Sequence, residues 1–137
     1  MTLAEAAARD ADFRVRASAY RAIGQFRFRQ KLELLRRGLE DESPACRGSA
    51  LLSLELLSRE SPSVVNSVRP LLHKLLSSPD ENAAVRRLAI VCLKNASAQR
   101  DTIVLLEGVA QDDEQPAELR AVAKRVADGL RRRAATR

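Results

Sequence analysis

Four times along this chain an acid stands six positions before an arginine, an alanine follows that arginine by three, and an apolar residue comes four further on. The copies are Asp10 to Arg16 (DADFRVR), Asp41 to Arg47 (DESPACR), Asp80 to Arg86 (DENAAVR) and Glu114 to Arg120 (EQPAELR). The alanines are Ala19, Ala50, Ala89 and Ala123, and the last column holds Ile23, Leu54, Leu93 and Ala127. Immediately before each arginine sits an apolar residue: Val15, Cys46, Val85 and Leu119. The arginines are 31, 39 and 34 positions apart. Correlated columns at a period of 30 to 40 residues specify a stack of similar supersecondary units.

Each column has a physical reason. Asp12, Ser43 and Asn82 lie three residues before the apolar position, where a side-chain oxygen can accept free helix N–H groups. Pro44 follows at the first helical position, which needs no N–H. In the fourth copy Pro116 occupies the cap column, so the helix start is expected to slip by one residue. From the cap, apolar residues recur at helical spacing, as in Val15, Ala19, Ala22 and Ile23. Each copy therefore opens an amphipathic helix of type A, and its small alanine admits a close neighbour. Gly48, inside such a helix, is read the same way.

Second amphipathic segments, type B, lie between them: QKLELLRRGLED, SVVNSVRPLLHKLL and DTIVLLEGVAQDD. Pro70 should kink the middle one or mark its start. The opening residues TLAEAAARD read as one more B helix, with Thr2 and Glu5 spaced as a capping box. A half-repeat (1–9), three full repeats (10–40, 41–79 and 80–111), a closing helix (112–133) and a tail (134–137) result. A lone hairpin cannot bury its own apolar face, whereas stacked neighbours can. The fold class is all-α: a right-handed α-solenoid of about eight antiparallel helices in one domain. An opening half-repeat fits a piece of a longer solenoid, and an exposed end rung fits self-association.

The pattern D-x5-R-x-x-A-x-x-x-[LI] of the first three copies resembles the HEAT-repeat family, especially its short bacterial form related to phycobilin-lyase repeats. The fourth copy departs from it at Glu114 and Ala127. The resemblance implies that the acid and arginine are structural. Asp10, Arg16, Asp41, Arg47, Asp80, Arg86, Glu114 and Arg120 would form a ladder holding the turns in register, within or between rungs. The lyase-like relatives also raise bilin attachment as a third option, for which no residue here marks a pigment site.

Chemistry finds little support. His73 is the single histidine, so no His–His metal pair exists, and it reads as an ordinary exposed side chain beside Lys74. Cys46 and Cys92, 46 positions apart, suit neither a disulfide framework nor a zinc site and read as small core residues. No glycine-rich phosphate loop appears. Neither a catalytic group, a metal nor a cofactor is expected, and the reduced cysteines point to the cytoplasm. No run approaches the 18 apolar residues of a membrane span.

Function should then reside on the surface. Registering the B helices aligns Arg36 with His73 and Glu107, and Arg37 with Lys74 and Gly108, giving a mixed groove for a protein or peptide partner. The net charge of +6 is concentrated in residues 14–37, with eight basic side chains against Glu33, and in the tail arginines 131, 132, 133 and 137. Nucleic-acid binding through these two patches is the alternative. Phe26 and Phe28, in GQFRFRQK, either plug the space between helices or anchor a contact.

Overall fold

A computed structural model describes residues 2–26 and 29–136, all helix and turn with no strand among them. The elements are α1 (Leu3–Ala8), α2 (Phe13–Gln25), a 3₁₀ turn (Arg29–Lys31), α3 (Leu32–Leu39), α4 (Pro44–Ser58), α5 (Pro62–Ser67), α6 (Arg69–Ser77), α7 (Ala83–Leu93), α8 (Arg100–Gln111) and α9 (Ala117–Ala135). Helices α2, α4, α7 and α9 are the A layer, each packed on the next. Helices α1, α3, α5–α6 and α8 form the B layer, and α1, α3, α6 and α8 each lie against the A helix that follows in the chain. This is an all-α, solenoid-like stack.

The helix starts singled out from the sequence, those of α1 and the four A helices, obey the cap chemistry with two exceptions. Asp12 accepts from the Arg14 N–H (2.9 Å) and Asn82 from the Ala84 N–H (2.8 Å), while Thr2 and Glu5 make the full capping box. Ser43 holds the cap position but its side chain accepts no helix N–H, while Pro44 takes the first helical position, where no N–H is needed. Nor does the fourth A helix slip. Pro116 is itself the N-cap, at φ −54° and ψ 141°, and Arg120 stays in register with the other arginines. A proline serves there because the cap residue's own N–H has no helical partner. The closing helix runs to Ala135, two residues past the expected end.

Pro70 breaks its segment outright. Helix α5 stops at Ser67, Val68 (φ −111°, ψ 9°) makes the joint, and α6 restarts with Pro70 in its first turn. A proline has no N–H for the carbonyl four residues back, and its ring crowds that carbonyl. The eight segments of the sequence thus become nine helices among the described residues.

A continuous core runs between the layers. The alanine column is buried throughout, at 6% exposure for Ala19 and 0% for Ala50, Ala89 and Ala123. Ile23, Leu54 and Leu93 are fully buried one turn later, with Ala127 at 1%. Val15 departs from its column at 37% exposure: the next member, Cys46, packs on the A helix before it, with its Sγ donating to the Phe13 carbonyl, and α2 is the first A helix of the stack. Helix α4 is enclosed most completely, burying even Ser49, Ser53, Glu55 and Ser58.

Close approach depends on two glycines, and Gly48 is not one of them. A Cβ at Gly24 would stand 2.5 Å from the Ser53 Cα, and one at Gly38 2.8 Å from the Ala50 Cβ. The Gly24 N–H donates to Ser53 Oγ at 3.1 Å, and that hydroxyl in turn donates to the Tyr20 carbonyl, riveting α2 to α4. At Gly48 an added Cβ would meet only Leu88 Cδ1, at an ordinary 3.5 Å. Gly24→Ala is therefore expected to lower stability by about 1–3 kcal/mol through overpacking. Gly48→Ala should be neutral or raise it by up to about 1 kcal/mol through helix propensity. Urea unfolding of the two variants checks the contrast.

Candidate interaction surface

The turns that precede the A helices are joined by arginines. Arg16 Nε and Nη2 donate to the two Asp41 oxygens at 2.9 and 3.0 Å, a bidentate fork from the first A helix to the next turn. Its Nη1 reaches back to the carbonyls of Asp10 and Ala11, both at 3.0 Å. Arg47 repeats the arrangement one rung on, with Glu81 at 2.8 and 2.7 Å and the Asp41 carbonyl at 2.7 Å. These groups are shielded: side-chain exposure is 8% for Asp41 and 5% for Glu81. Charge-assisted forks of this kind are short and directional.

The acid that pairs is not always the one six residues before an arginine. Asp80 is exposed, and Glu81 takes the fork; in the next turn Glu114 is exposed and Gln115 Oε1 accepts from Arg86 Nη1 at 2.6 Å. A longer side chain one position nearer the cap reaches the same point. The acids share a second duty, receiving the cap residue's backbone N–H: Asp10 from Asp12 (2.8 Å), Asp41 from Ser43 (2.9 Å) and Glu81 from Asn82 (2.8 Å). Pro116 has no N–H to give, so the last turn needs no acid there and a neutral glutamine suffices. Gln115 is steadied by Asp112, whose Oδ2 accepts from its amide at 3.2 Å. Burial pushes the Asp41 carboxyl up, but the Arg16 fork and the Ser43 N–H outweigh it and hold the group below the usual aspartate range.

A second polar cluster sits at the α5–α6 break. Arg69, 5% exposed, has no carboxylate within ion-pair distance among the described residues. It donates instead to neutral oxygens: Thr102 Oγ1 (2.6 Å), Asn66 Oδ1 (2.6 Å) and Ser97 Oγ (2.8 Å). Asn66 Oδ1 also accepts the Ser97 N–H at 3.0 Å, so one amide ties the break to the α7–α8 turn. His73 turns inward to the same Thr102 hydroxyl, at 3.0 Å, and is half-buried rather than exposed as its place beside Lys74 suggests. Burial lowers its ring pKa; the Asp101 charge opposes this and the Arg69 charge adds to it. Thr102 accepts from Arg69 and keeps its own proton, so the direction of its bond with His73 follows the imidazole tautomer.

Arg69, Asn66, Ser97 and Thr102 went unrecognised in the sequence, yet a signal was present. Arg69 lies four residues after Val65 and three before Leu72, on the apolar stripe itself, where a charge must find partners. Glu55 was likewise missed. Buried on α4, it is bound by Arg59 (2.9 Å) and by Lys94 (3.1 Å) beyond the end of α7.

The proposed groove residues are dispersed. Arg37 is exposed and lines two adjoining clefts of about 430 and 420 Å³, both of which also include Arg9. Arg36 leans on Glu33 at 3.6 Å, Lys74 is exposed on α6, and Glu107 is engaged by Arg131 of α9. Phe26 is 67% exposed, not a plug, while Phe28, Arg27 and Arg137 lie outside the described residues. Cys46 and Cys92 are both fully buried, where desolvation raises their thiol pKa values. Among the described residues no group of three His, Cys, Asp or Glu side chains is placed to hold a metal, and no helix is long and apolar enough to cross a membrane.

Two stability measurements follow from the turn ladder. Arg47→Ala leaves the nearly buried Glu81 without its fork and is expected to cost about 2–3 kcal/mol, whereas Asp80→Asn should change little. Because the native pKa of Asp41 is depressed, its stabilising effect is complete above the unfolded value of about 3.9 and is lost as pH falls through the native one. Asp41→Asn should therefore flatten that part of the acid limb in urea titrations below pH 5.

Comparison with protein families accounts for this architecture. The family model described as HEAT repeats matches residues 1–67, which takes in the first two rungs and the Arg16–Asp41 fork. Comparison with the curated proteins finds no match. Beyond the matched segment the same arginine, alanine and apolar columns recur at Arg86 and Arg120 on helices stacked in the same order. Residues 1–67 are thus similar to HEAT repeats, and the columns and stacking beyond them continue the same architecture.

Proposed function

We propose that this protein is a non-catalytic interaction module whose B-helix side receives a protein or peptide. HEAT repeats generally mediate contacts between proteins. The observation that carries the reading here is the pair Arg9 and Arg37: both are exposed, neither meets a carboxylate within ion-pair distance among the described residues, and both line the two adjoining clefts beside α1 and α3. Desolvating an unpaired arginine on a partner's carboxylate gives a directional bond that solvent does not match. Lys74 is exposed on the B helix one repeat further along. The surface next to the two arginines offers acids too, Asp10 and Glu42, which suits a partner of mixed charge better than a polyanion.

The same pairing pattern weighs against nucleic acid as the ligand. Within residues 14–37, Arg14, Arg16, Lys31 and Arg36 are each engaged by a carboxylate, which neutralises half of the first basic patch. A backbone-tracking groove requires charge that is free along its length.

Arg37→Glu combined with Lys74→Glu tests the proposal. The helical circular dichroism signal should stay unchanged, and proteins recovered with immobilised wild type from its native extract should be lost with the variant. Retention of the same partners by the variant would refute this surface. Strong retention of wild type on heparin at moderate salt would favour the nucleic-acid reading instead.

A further inference from the structure

A cleft of about 500 Å³ lies at the opposite end of the stack, between the last turns of α9 and the segment that leaves α7. Its lining includes Lys94, Arg125, Gly129, Leu130, Arg132 and Arg133, with no acidic residue. The state of each cation matters. Lys94 is neutralised by Glu55 at 3.1 Å. Arg133 donates to the carbonyls of Lys94 (2.7 Å) and Ala96 (2.9 Å), partners that hold it in place and leave its charge intact. Arg125 and Arg132 are exposed and, among the described residues, have no carboxylate within ion-pair distance. Three guanidinium charges therefore converge on one concavity.

The floor of the cleft contains a glycine that packing does not require. Gly129 is in the middle of the 19-residue α9, where glycine is a poor helix former. A Cβ there would meet only the mobile tip of Arg132, at 3.7 Å. Gly24 and Gly38 are needed because neighbouring atoms leave no room; Gly129 instead leaves room open. The space lies directly beneath the arginines, over the buried apolar side chain of Leu130.

We propose that this cleft binds a short acidic peptide segment of a partner protein, an apolar side chain seated over Gly129 and carboxylates on either side held by Arg125, Arg132 and Arg133. The charges around the cleft restrict the ligand to that size. Asp128 with Lys124, and Glu107 with Arg131, flank it as neutralised pairs, so the positive field ends within a turn or two of helix. A polyanion would run past the arginines onto these acids, whereas two to four carboxylates fit within the patch. This site is separate from the Arg9–Arg37 clefts.

Fluorescence anisotropy tests the proposal with a labelled pentapeptide, a central leucine flanked by two glutamates on each side, and with its glutamine and lysine counterparts. Saturable binding of the glutamate peptide alone is expected, with Kd on the order of 10–100 µM at low salt. Arg125→Glu with Arg132→Glu should weaken it at least tenfold. Gly129→Leu should weaken it as much while raising Tm by about 2–4 °C, which separates a blocked site from a damaged fold. The Arg37→Glu, Lys74→Glu variant should bind like wild type. No binding of the glutamate peptide, indifference to Gly129→Leu, equal loss in the Arg37→Glu, Lys74→Glu variant, or a duplex oligonucleotide that binds more tightly and also depends on Gly129 would each overturn the assignment.

Discussion

An arginine that reaches forward to the next turn and backward to its own is the interaction on which the stack depends. Hydrophobic burial alone would let hairpins slide against one another, since leucine and alanine surfaces are tolerant of small shifts. A bidentate fork fixes both distance and angle. Arg16 grips Asp41 while holding the carbonyls of Asp10 and Ala11, and Arg47 does the same with Glu81 and Asp41. Asp41 is thus shared: its carboxylate belongs to one rung and its carbonyl to the next. Register passes along the chain through such shared residues.

Small residues set how near the A helices come. Gly24 and the buried alanines let α2 and α4 approach until backbone and hydroxyl groups touch, Gly38 of α3 lets that B helix in against Ala50 and Tyr20, and the Ser53 bridge to Gly24 and Tyr20 is possible only at that separation. The ladder and the close contact support each other. One aligns the turns, and the other excludes water from the helix faces beneath them.

The fold and the recurring arginine column were legible in the sequence because both are periodic. Asp12, Asn82 and the alanine column are local rules repeated, and repetition raises a weak motif to a strong one. What escaped was aperiodic or depended on side-chain length. Glu81 displaces Asp80 because one extra methylene compensates for one position along the turn. Arg69 on an apolar stripe was visible, but its acceptors come from α5, α8 and the turn before α8, which no local pattern brings together. His73 followed Arg69 inward for the same reason. The groove residues were harder still: equivalent positions on successive B helices share a row, yet whether a row becomes a cavity depends on neighbours such as Arg131, which takes Glu107 out of it.

The last rung differs in kind from the two before it. Arg86 offers one bond to a neutral amide, and its buried Nε is left without an acceptor. Two bidentate ionic joints are therefore followed by a single bond to a neutral amide, with the exposed Arg87–Glu118 pair (3.4 Å) beside it. The union of α7 with α9 thus leans more on the helix faces packed beneath the turn than on the bonds above it.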